Sequence, residues 1–246
     1  MHNSNEIAIM VEELKQYWGI FMEIFFSLCL GYVLGCLNPA AWIGKWKHVN
    51  LKQAGTGNLG ATNTTMVLGR KAGAFVLVVD VLKSYLSARL AQWMFPQLAV
   101  AGMVGSIGAI LGHCFPLTMH FSGGKGLAAF GGMILAYNPL IFGICLIVCI
   151  TVMVLLDVGV AAPLLGTVLF PALTYTFSHD AAATACAAVA GVIIAFTHLD
   201  NVRKTRNKSD VKVHNYFREV LFSRKKSGNT EGQPSKEDIR PKGGNR

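Results

Sequence analysis

A glycine-rich run that follows several lysines is the first part of the sequence whose residue types could do chemistry. It reads Gly55-Thr56-Gly57-Asn58-Leu59-Gly60-Ala61-Thr62-Asn63, and it follows Lys45, Lys47 and Lys52. Glycines let the backbone turn tightly and approach a ligand, and successive N–H groups can form a nest for an anion. The Thr and Asn side chains add hydrogen-bonding groups. The run predicts a phosphate-binding loop, whereas the glycines alone would equally suit a flexible solvated loop.

A second glycine cluster surrounds one isolated lysine. The segment is Gly123-Gly124-Lys125-Gly126, and no other Lys or Arg occurs from residue 90 to residue 202. A lone lysine at the end of a membrane helix can simply snorkel, but the flanking glycines favour a phosphate ligand. The segment is not a P-loop, because Gly126 stands where that motif needs Ser or Thr. Upstream, His113 is interpreted as a hydrogen-bonded histidine rather than a metal ligand, because no partner has suitable spacing.

Two further patterns are weaker. His198-Leu199-Asp200-Asn201-Val202-Arg203 follows the last apolar segment, where a histidine often only caps helix carbonyls. The spacing Gly55-x-Gly57-x-x-Gly60, with Asp80 downstream, matches a dinucleotide fingerprint. The residues before it are too polar for the buried strand that the fingerprint requires, so we exclude a nicotinamide site.

The elements that must position these loops are apolar helices. Of 246 residues, 52% are hydrophobic and 14% are charged, against about 25% charged in a soluble domain. Each apolar segment is long enough, or nearly so, to cross a hydrocarbon core of about 30 Å as a helix. The segments are 17–37, 72–93, 98–117, 127–137, 140–156, 158–177 and 181–197. The sequence predicts an all-α polytopic membrane bundle of about seven transmembrane helices, or five if 127–197 forms two long helices.

Charge predicts the topology and the partners. Of the 22 Lys and Arg residues, 13 lie after His198, and basic segments stay in the cytoplasm. We expect an extracellular arm over 1–16, a transmembrane domain over 17–198, and a basic cytoplasmic tail over 199–246. In the tail, the spacing of Val213, Phe217, Val220 and Leu221 predicts a helix at the membrane surface, with disorder after about 227. The net charge of +9 therefore indicates anionic lipid rather than nucleic acid.

The ordered loops resemble one family. Gly-x-Gly-Asn-x-Gly-Ala-Thr-Asn, Asp-x-x-Lys, Gly-His-x-Phe-Pro, Gly-Gly-Lys-Gly and His-x-x-Asn occur in that order over about residues 20–210. The chain resembles the bacterial membrane-integral acyl-phosphate:glycerol-3-phosphate acyltransferases. The resemblance implies an enzyme of phospholipid synthesis in the bacterial cell membrane, with a seven-helix bundle and an active site that faces the cytoplasm. It implies transfer of a fatty acyl group from acyl phosphate to the 1-position of glycerol 3-phosphate, giving lysophosphatidate and phosphate, without a metal or cofactor.

The resemblance also implies residue roles. The Gly123–Gly126 segment would hold glycerol 3-phosphate, and His198 with Asn201 would orient the acceptor. The residues that would address acyl phosphate are Lys52, Thr56, Gly57 and Asn58. The predicted catalytic residues are Cys36, Lys52, Lys125, His198 and Asn201. The predicted substrate-binding residues are Lys45, Gly55, Thr56, Gly57, Asn58, Thr62, Asn63, Lys83, His113, Gly123, Gly124 and Gly126.

Several positions depart from the family pattern. Cys36 stands where the family has Ser, and a thiol is the weaker hydrogen-bond donor. Lys52 stands where the family has Arg, which loses bidentate phosphate contact. The remaining departures are Asn50, Thr56, Ser84 and Lys208-Ser209-Asp210. The alternatives are a weak or inactive paralogue, another acyl acceptor, a thioester on Cys36, or a transport protein for phosphorylated molecules.

Overall fold

The described part of the chain is helical throughout its regular structure. A computed structural model describes residues 2–206, and this range contains ten α-helices, one 3-10 turn and no strand. The helices are α1 His2–Gly35, α2 Pro39–Trp46, α3 Ala61–Leu68, α4 Arg70–Met94, α5 Ala101–Cys114, α6 Leu127–Tyr137, α7 Pro139–Leu156, α8 Ala161–Ser178, α9 Ala181–Thr197 and α10 Leu199–Arg206. The 3-10 turn, Leu117–Met119, lies between α5 and α6. The predicted all-α fold is confirmed.

The seven apolar segments correspond to α1 and to α4 through α9. The five-span alternative is wrong, because residues 127–197 form four separate helices rather than two long ones. Within residues 2–206, the stretches long and apolar enough to cross a membrane are Glu6–Trp46, Ala101–Met119, Pro139–Leu156 and Ala161–Ser178. The other apolar helices, α6 and α9, are shorter. Helix α4 carries charged residues along its length, including a buried Asp80 and Lys83.

The structure describes most of the predicted N-terminal arm but only the first part of the predicted C-terminal tail. Helix α1 spans His2–Gly35, so residues 2–16 of the predicted extracellular arm continue without a break into the helix of the first apolar segment. The predicted tail begins with α10. Its surface helix and its disordered end, from residue 207 onward, lie outside the described residues.

Local sequence explains where several helices start. Asn38 and Asn138 each precede a proline, and each asparagine caps the helix that the proline opens. The Asn138 Oδ1 accepts hydrogen bonds from Leu140 N and Ile141 N, and the Asn38 Oδ1 accepts one from Ala41 N. An asparagine oxygen satisfies N–H groups that lack a partner in the first turn, and proline suits the next position because it has no N–H to satisfy.

Glycines bring α1 and α5 into close contact. A side chain on Gly31 or Gly35 would collide with the backbone of α5, and one on Gly108 or Gly112 would collide with the backbone of α1. Small residues four apart let helix backbones approach closely, which is a common way to pack helices in membranes. This contact aligns the carboxyl ends of α1 and α5, from which two of the polar loops leave.

The distribution of side chains matches a membrane protein. Large apolar side chains such as Ile147, Leu155 and Val192 are 68–77% exposed on the outside of the bundle. Serines on α4 and α5, among them Ser87 and Ser106, are fully buried, and their hydroxyls donate to the carbonyls of Lys83 and Ser84. Lipid can cover the exposed apolar faces, whereas buried polar groups must find partners inside the bundle.

Candidate active site

Asn63 organises the first glycine-rich loop. Its side chain is fully buried. Its Oδ1 accepts a hydrogen bond from Thr56 N at 2.7 Å, and its Nδ2 donates to Leu51 O at 3.0 Å and to Ala54 O at 3.2 Å. Gly55 has a φ of +59°, which favours glycine, and a side chain there would run into the Asn63 carboxamide. Asn63 therefore shapes the loop from inside.

The N–H groups of this loop bond mainly within it. Gly57 N donates to Ala54 O at 3.1 Å, and Asn58 N lies 3.5 Å from Thr56 Oγ1. With Thr56 N bonded to Asn63, the N–H groups of 56, 57 and 58 do not form the anion nest that the glycine spacing predicts. Charge for an anion comes instead from side chains beside the loop.

A cleft of about 430 Å³ lies between α2, this loop and the 3-10 turn. Lys45 and Lys52 give its lining positive charge, His48 adds an imidazole, and Leu59 and Met119 contribute apolar surface. Lys45 and Lys52 are exposed. An anionic group can lie against the lysines while an attached apolar chain contacts the remaining wall.

The second glycine segment is held against the end of α5. Gly123 N and Gly124 N donate to the carbonyls of Cys114 and His113, each at 3.1 Å. A side chain on Gly123 would overlap the His113 carbonyl, and one on Gly124 would overlap the His113 imidazole. Glycine is required because the segment runs directly against α5. These two N–H groups cap α5, so the positive end of α6 and Lys125 are the groups suited to an anion.

Lys125 bonds to the exit of α9. Its Nζ donates to Asn201 Oδ1, and its carbonyl accepts a hydrogen bond from Thr197 Oγ1 at 2.9 Å. Asn201 lies on α10 and His198 lies just past the end of α9. The structure therefore brings together three of the residues predicted to be catalytic, although they are 76 positions apart at the extremes.

His198 is buried, and its tautomer follows from its hydrogen bond. Its Nδ1 lies 2.9 Å from Ile194 O. A carbonyl can only accept, so Nδ1 carries the proton, and in the neutral ring Nε2 is the acceptor. Burial lowers the pKa of His198, the Ile194 carbonyl opposes this shift, and the charge of Lys125 adds to it. The ring is thus held in the form that can accept a hydrogen bond or a proton.

Cys36 lies half-buried just beyond the end of α1. Cys36 N donates to Tyr32 O at 3.0 Å, and the Tyr32 hydroxyl donates to Phe115 O at 2.8 Å. The position predicted to be catalytic is thus next to the segment that leads from α5 to the 3-10 turn.

Lys83 and His113 are buried rather than exposed to a substrate. With Asp80 they form a cluster whose side chains are 1–4% exposed. Sequence reasoning treated Lys83 and His113 as substrate-binding residues and did not include Asp80 in the site. The spacing Asp80-x-x-Lys83, which puts both side chains on one helix face, was the available signal.

The loops meet through Gly124. A side chain there would contact both the His113 imidazole and the Leu59 carbonyl, and Leu59 also lines the cleft. Gly124 precedes Lys125 in the chain, so this contact connects the segment that carries Lys125 to the wall of the cleft that contains Lys45 and Lys52. Elsewhere, Thr62 is exposed on the first turn of α3. Residues that sequence reasoning missed are Tyr32, His48, Asp80, Met119 and Thr197; apart from Asp80, no local pattern indicated them.

No metal centre is evident in the region that the structure covers. Among residues 2–206, no group of three or more His, Cys, Asp or Glu side chains could hold a metal ion.

Comparisons with known proteins give one family. The family model described as glycerol-3-phosphate acyltransferase matches residues 25–208. A glycerol-3-phosphate acyltransferase of Streptococcus thermophilus (strain CNRZ 1066) is 33% identical over 195 residues, covering 76% of this chain and 91% of the relative. One of Enterococcus faecalis (strain ATCC 700802 / V583) is 35% identical over 206 residues, covering 78% and 93%.

The fold agrees with a solved structure. The crystal structure of PlsY (YgiH), an integral membrane glycerol 3-phosphate acyltransferase, in its glycerol 3-phosphate form superposes with a TM-score of 0.74. It is 27% identical in sequence, and the match covers 81% of this chain and 98% of that one. The lysophosphatidic acid form superposes with a TM-score of 0.69 at 26% identity, covering 77% and 94%. The predicted family, enzyme class and membrane fold are confirmed: this chain belongs to the glycerol-3-phosphate acyltransferase family of integral membrane proteins.

Proposed function

We propose that this chain transfers a fatty acyl group from acyl phosphate to the 1-hydroxyl of glycerol 3-phosphate. The observation that carries the proposal is the bond between Lys125 and Asn201, beside a buried His198 and at the positive end of α6. The arrangement offers charge for a phosphate group and two neutral side chains for a hydroxyl. Glycerol 3-phosphate carries both groups on a three-carbon frame.

The reaction needs little more than positioning and charge. Acyl phosphate is a mixed anhydride, so its carbonyl carbon is already activated. The acceptor oxygen attacks that carbon, an ester bond forms, and the bond from the carbonyl carbon to the phosphate oxygen breaks. The hydroxyl proton passes to an oxygen of the leaving phosphate. The enzyme aligns the two substrates and stabilises the negative charge that develops on the carbonyl oxygen.

The acceptor binds beside α6 in this proposal. Lys125 and the amino end of α6 attract its phosphate. His198 Nε2 and the Asn201 carboxamide orient the attacking hydroxyl. Gly123 and Gly124 act by letting the segment lie against His113, because their N–H groups already bond to α5.

The donor binds in the cleft beside α2. Lys45 and Lys52 attract its phosphate, and Thr56 with Asn58 lies on the adjoining loop. The acyl chain leaves along apolar surface toward lipid. Leu59 joins the cleft to the Gly124 contact, so a donor in the cleft lies next to an acceptor at Lys125.

We further propose a cell-membrane location with the site facing the cytoplasm. The supporting observation is the charge distribution: Lys45, Lys47, Lys52 and Lys71 lie in or beside the loops of the site, and 13 of the 22 Lys and Arg residues follow His198 along the chain. Basic loops stay in the cytoplasm. Membrane lipids would surround the bundle, and anionic lipids would attract the tail.

The test is acyl transfer by purified protein in detergent. Phosphate release from palmitoyl phosphate is measured with and without glycerol 3-phosphate, and lysophosphatidate is identified by mass spectrometry. We expect release that depends on the acceptor. Lys125→Ala should lower it by about 1000-fold because a charged contact to the transition state is lost. The matched control is Lys71→Ala, on the exposed first turn of α4, which should retain activity. Folded protein without lysophosphatidate formation would refute the proposal.

A further inference from the structure

Lys83 is placed where all of its N–H groups are directed at protein acceptors. Its Nζ donates to Gly35 O at 3.0 Å and to Leu37 O at 2.8 Å, and it lies 2.8 Å from His113 Nδ1. An ammonium has three N–H groups, so these three bonds use all of them. A buried lysine held in this way serves the structure around it rather than a ligand.

Asp80 supplies charge to the same cluster without a directed hydrogen bond. Its Oδ1 lies 2.8 Å from Lys83 Nζ and 3.2 Å from His113 Nδ1, yet it has no hydrogen bond of acceptable geometry. The carboxylate therefore offsets the cost of burying the ammonium, while the directed bonds of Lys83 go elsewhere. Asp80 compensates the charge of Lys83, whereas the backbone carbonyls and His113 accept its directed hydrogen bonds. Mutations can therefore change the charge pairing and the hydrogen bonds separately.

The bonds of Lys83 lie on both sides of Cys36. Gly35 and Leu37 are its two chain neighbours. The Gly35 carbonyl is at the end of α1, where helix carbonyls lack partners, and the Leu37 carbonyl lies in the link to α2. A lysine from α4 thus caps α1 and fixes the backbone of Cys36 from both directions. Nothing in the sequence near Cys36 indicates this, because Lys83 is 46–48 positions away.

The third contact of Lys83, with His113, connects it to the proposed glycerol 3-phosphate site. The ammonium of Lys83 lies 2.8 Å from His113 Nδ1, and Nε2 of the same ring faces Gly124. The His113 carbonyl also accepts the N–H of Gly124. His113 therefore holds the residue next to Lys125 by its backbone and by its ring. One ammonium joins the end of α1 to the segment that carries Lys125.

We propose that Lys83 is a positioning residue for acyl transfer. Through His113, it fixes the position of the Cys36 backbone relative to the Gly123–Gly126 segment. This inference rests on the proposed function. Misplacement of reacting groups by about 1 Å can cost about 100-fold in rate. We therefore expect loss of Lys83 to lower kcat more than it weakens the binding of either substrate.

Two variants separate positioning from charge. Lys83→Arg keeps the charge opposite Asp80, but its planar guanidinium cannot direct N–H groups at the same three acceptors. The double variant Asp80→Asn/Lys83→Met makes the cluster neutral and so leaves no unpaired buried charge. Both are compared with Lys71→Met, on the exposed first turn of the same helix. Melting temperature in detergent, kcat, and KM for both substrates are measured for each.

We expect both variants to remain folded, with kcat lowered by about 10- to 100-fold and each KM within about threefold of the original. Alkylation of Cys36 by N-ethylmaleimide, followed by mass spectrometry of its peptide, should be faster in both, because its backbone is no longer held. Folded variants with kcat and alkylation rate within twofold of the original would overturn the inference. Variants whose only change is a higher KM would overturn it too, since they would assign Lys83 to binding.

The control experiments keep the two proposals apart. If the unmodified chain makes no lysophosphatidate, the proposed function fails and the inference fails with it. If the unmodified chain is active and the folded variants match it, only the inference fails. If Lys71→Met loses as much activity as the Lys83 variants, the loss belongs to α4 in general and the specific role is refuted.

Discussion

Replacing Asn63 by alanine tests whether this residue shapes the first glycine-rich loop or contacts a substrate. Asn63→Ala removes three hydrogen bonds, to Thr56 N, Leu51 O and Ala54 O. A net hydrogen bond contributes about 1 kcal/mol, and the groups left behind are partly buried. We expect the loop to lose about 3 kcal/mol. Because about 1.4 kcal/mol is a factor of ten, its closed form becomes roughly 100-fold less favoured.

Hydrogen exchange measures this change directly. The amide of Thr56 donates to Asn63, so it reports the closed loop. In the variant, exchange of a peptide that covers residues 51–60 should be about 100-fold faster, if local opening governs it. Gln53→Ala is the matched control, because Gln53 is exposed on the same loop. Its exchange and activity should remain close to those of the original chain.

The activity of the same variant decides between the two roles. A loosened loop should raise KM for acyl phosphate, because Lys52 and Thr56 lie on it. Exchange at Thr56 within threefold of the original chain would refute the structural reasoning. If activity were nevertheless abolished, Asn63 would act on the substrate directly, as the sequence predicts.

Three further predictions concern other parts of the site. Gly124→Ala should lower the melting temperature and the activity, because its methyl group would overlap the His113 ring. The control is Gly143→Ala, where a side chain meets nothing within 4 Å, and it should be neutral or slightly stabilising. Equal melting temperatures for the two variants would contradict this prediction. The pKa of His198 is lower in the folded chain than in the unfolded one, so the unfolded state binds more protons as pH falls below about 6.5, and stability should fall with it. His198→Gln should flatten that part of the stability profile, and an unchanged profile would remove His198 as its cause. Cys36→Ser should keep or raise acyl transfer if this position only donates a hydrogen bond, whereas loss of turnover in folded protein would support a thioester.

Local patterns were enough to predict the fold class and most helix boundaries. Apolar runs that end at Asn138-Pro139 and at Asp180 correspond to helices, because the capping residues and the proline act within one turn. Segment length alone does not determine whether residues 127–197 form two helices or four. Its four helices are separated by such caps and by residues in the left-handed region at Asp157 and His179. Neither of these residues is glycine, so that conformation was not evident from composition.

The loops that form the site could be predicted from the sequence, but the contacts that each residue makes within them could not. Glycine spacing indicated that residues 55–60 and 123–126 approach something closely. The sequence could not show that Gly123 and Gly124 approach His113, or that Asn63 and Thr56 bond to each other. Glycine permits close approach to a ligand and to the protein's own backbone for the same steric reason. Residue type therefore could not distinguish the two.

The sequence by itself determined that this is an all-α membrane protein of the glycerol-3-phosphate acyltransferase family, because apolar length and ordered motifs are properties of the chain read in order. Only the tertiary structure decided that Lys125 bonds to Asn201 and that Lys83 brackets Cys36. These contacts join residues 46–76 positions apart. Their partners are chosen by how α1, α4, α5 and α9 pack, and a buried ammonium must bond to whichever acceptors that packing brings within reach.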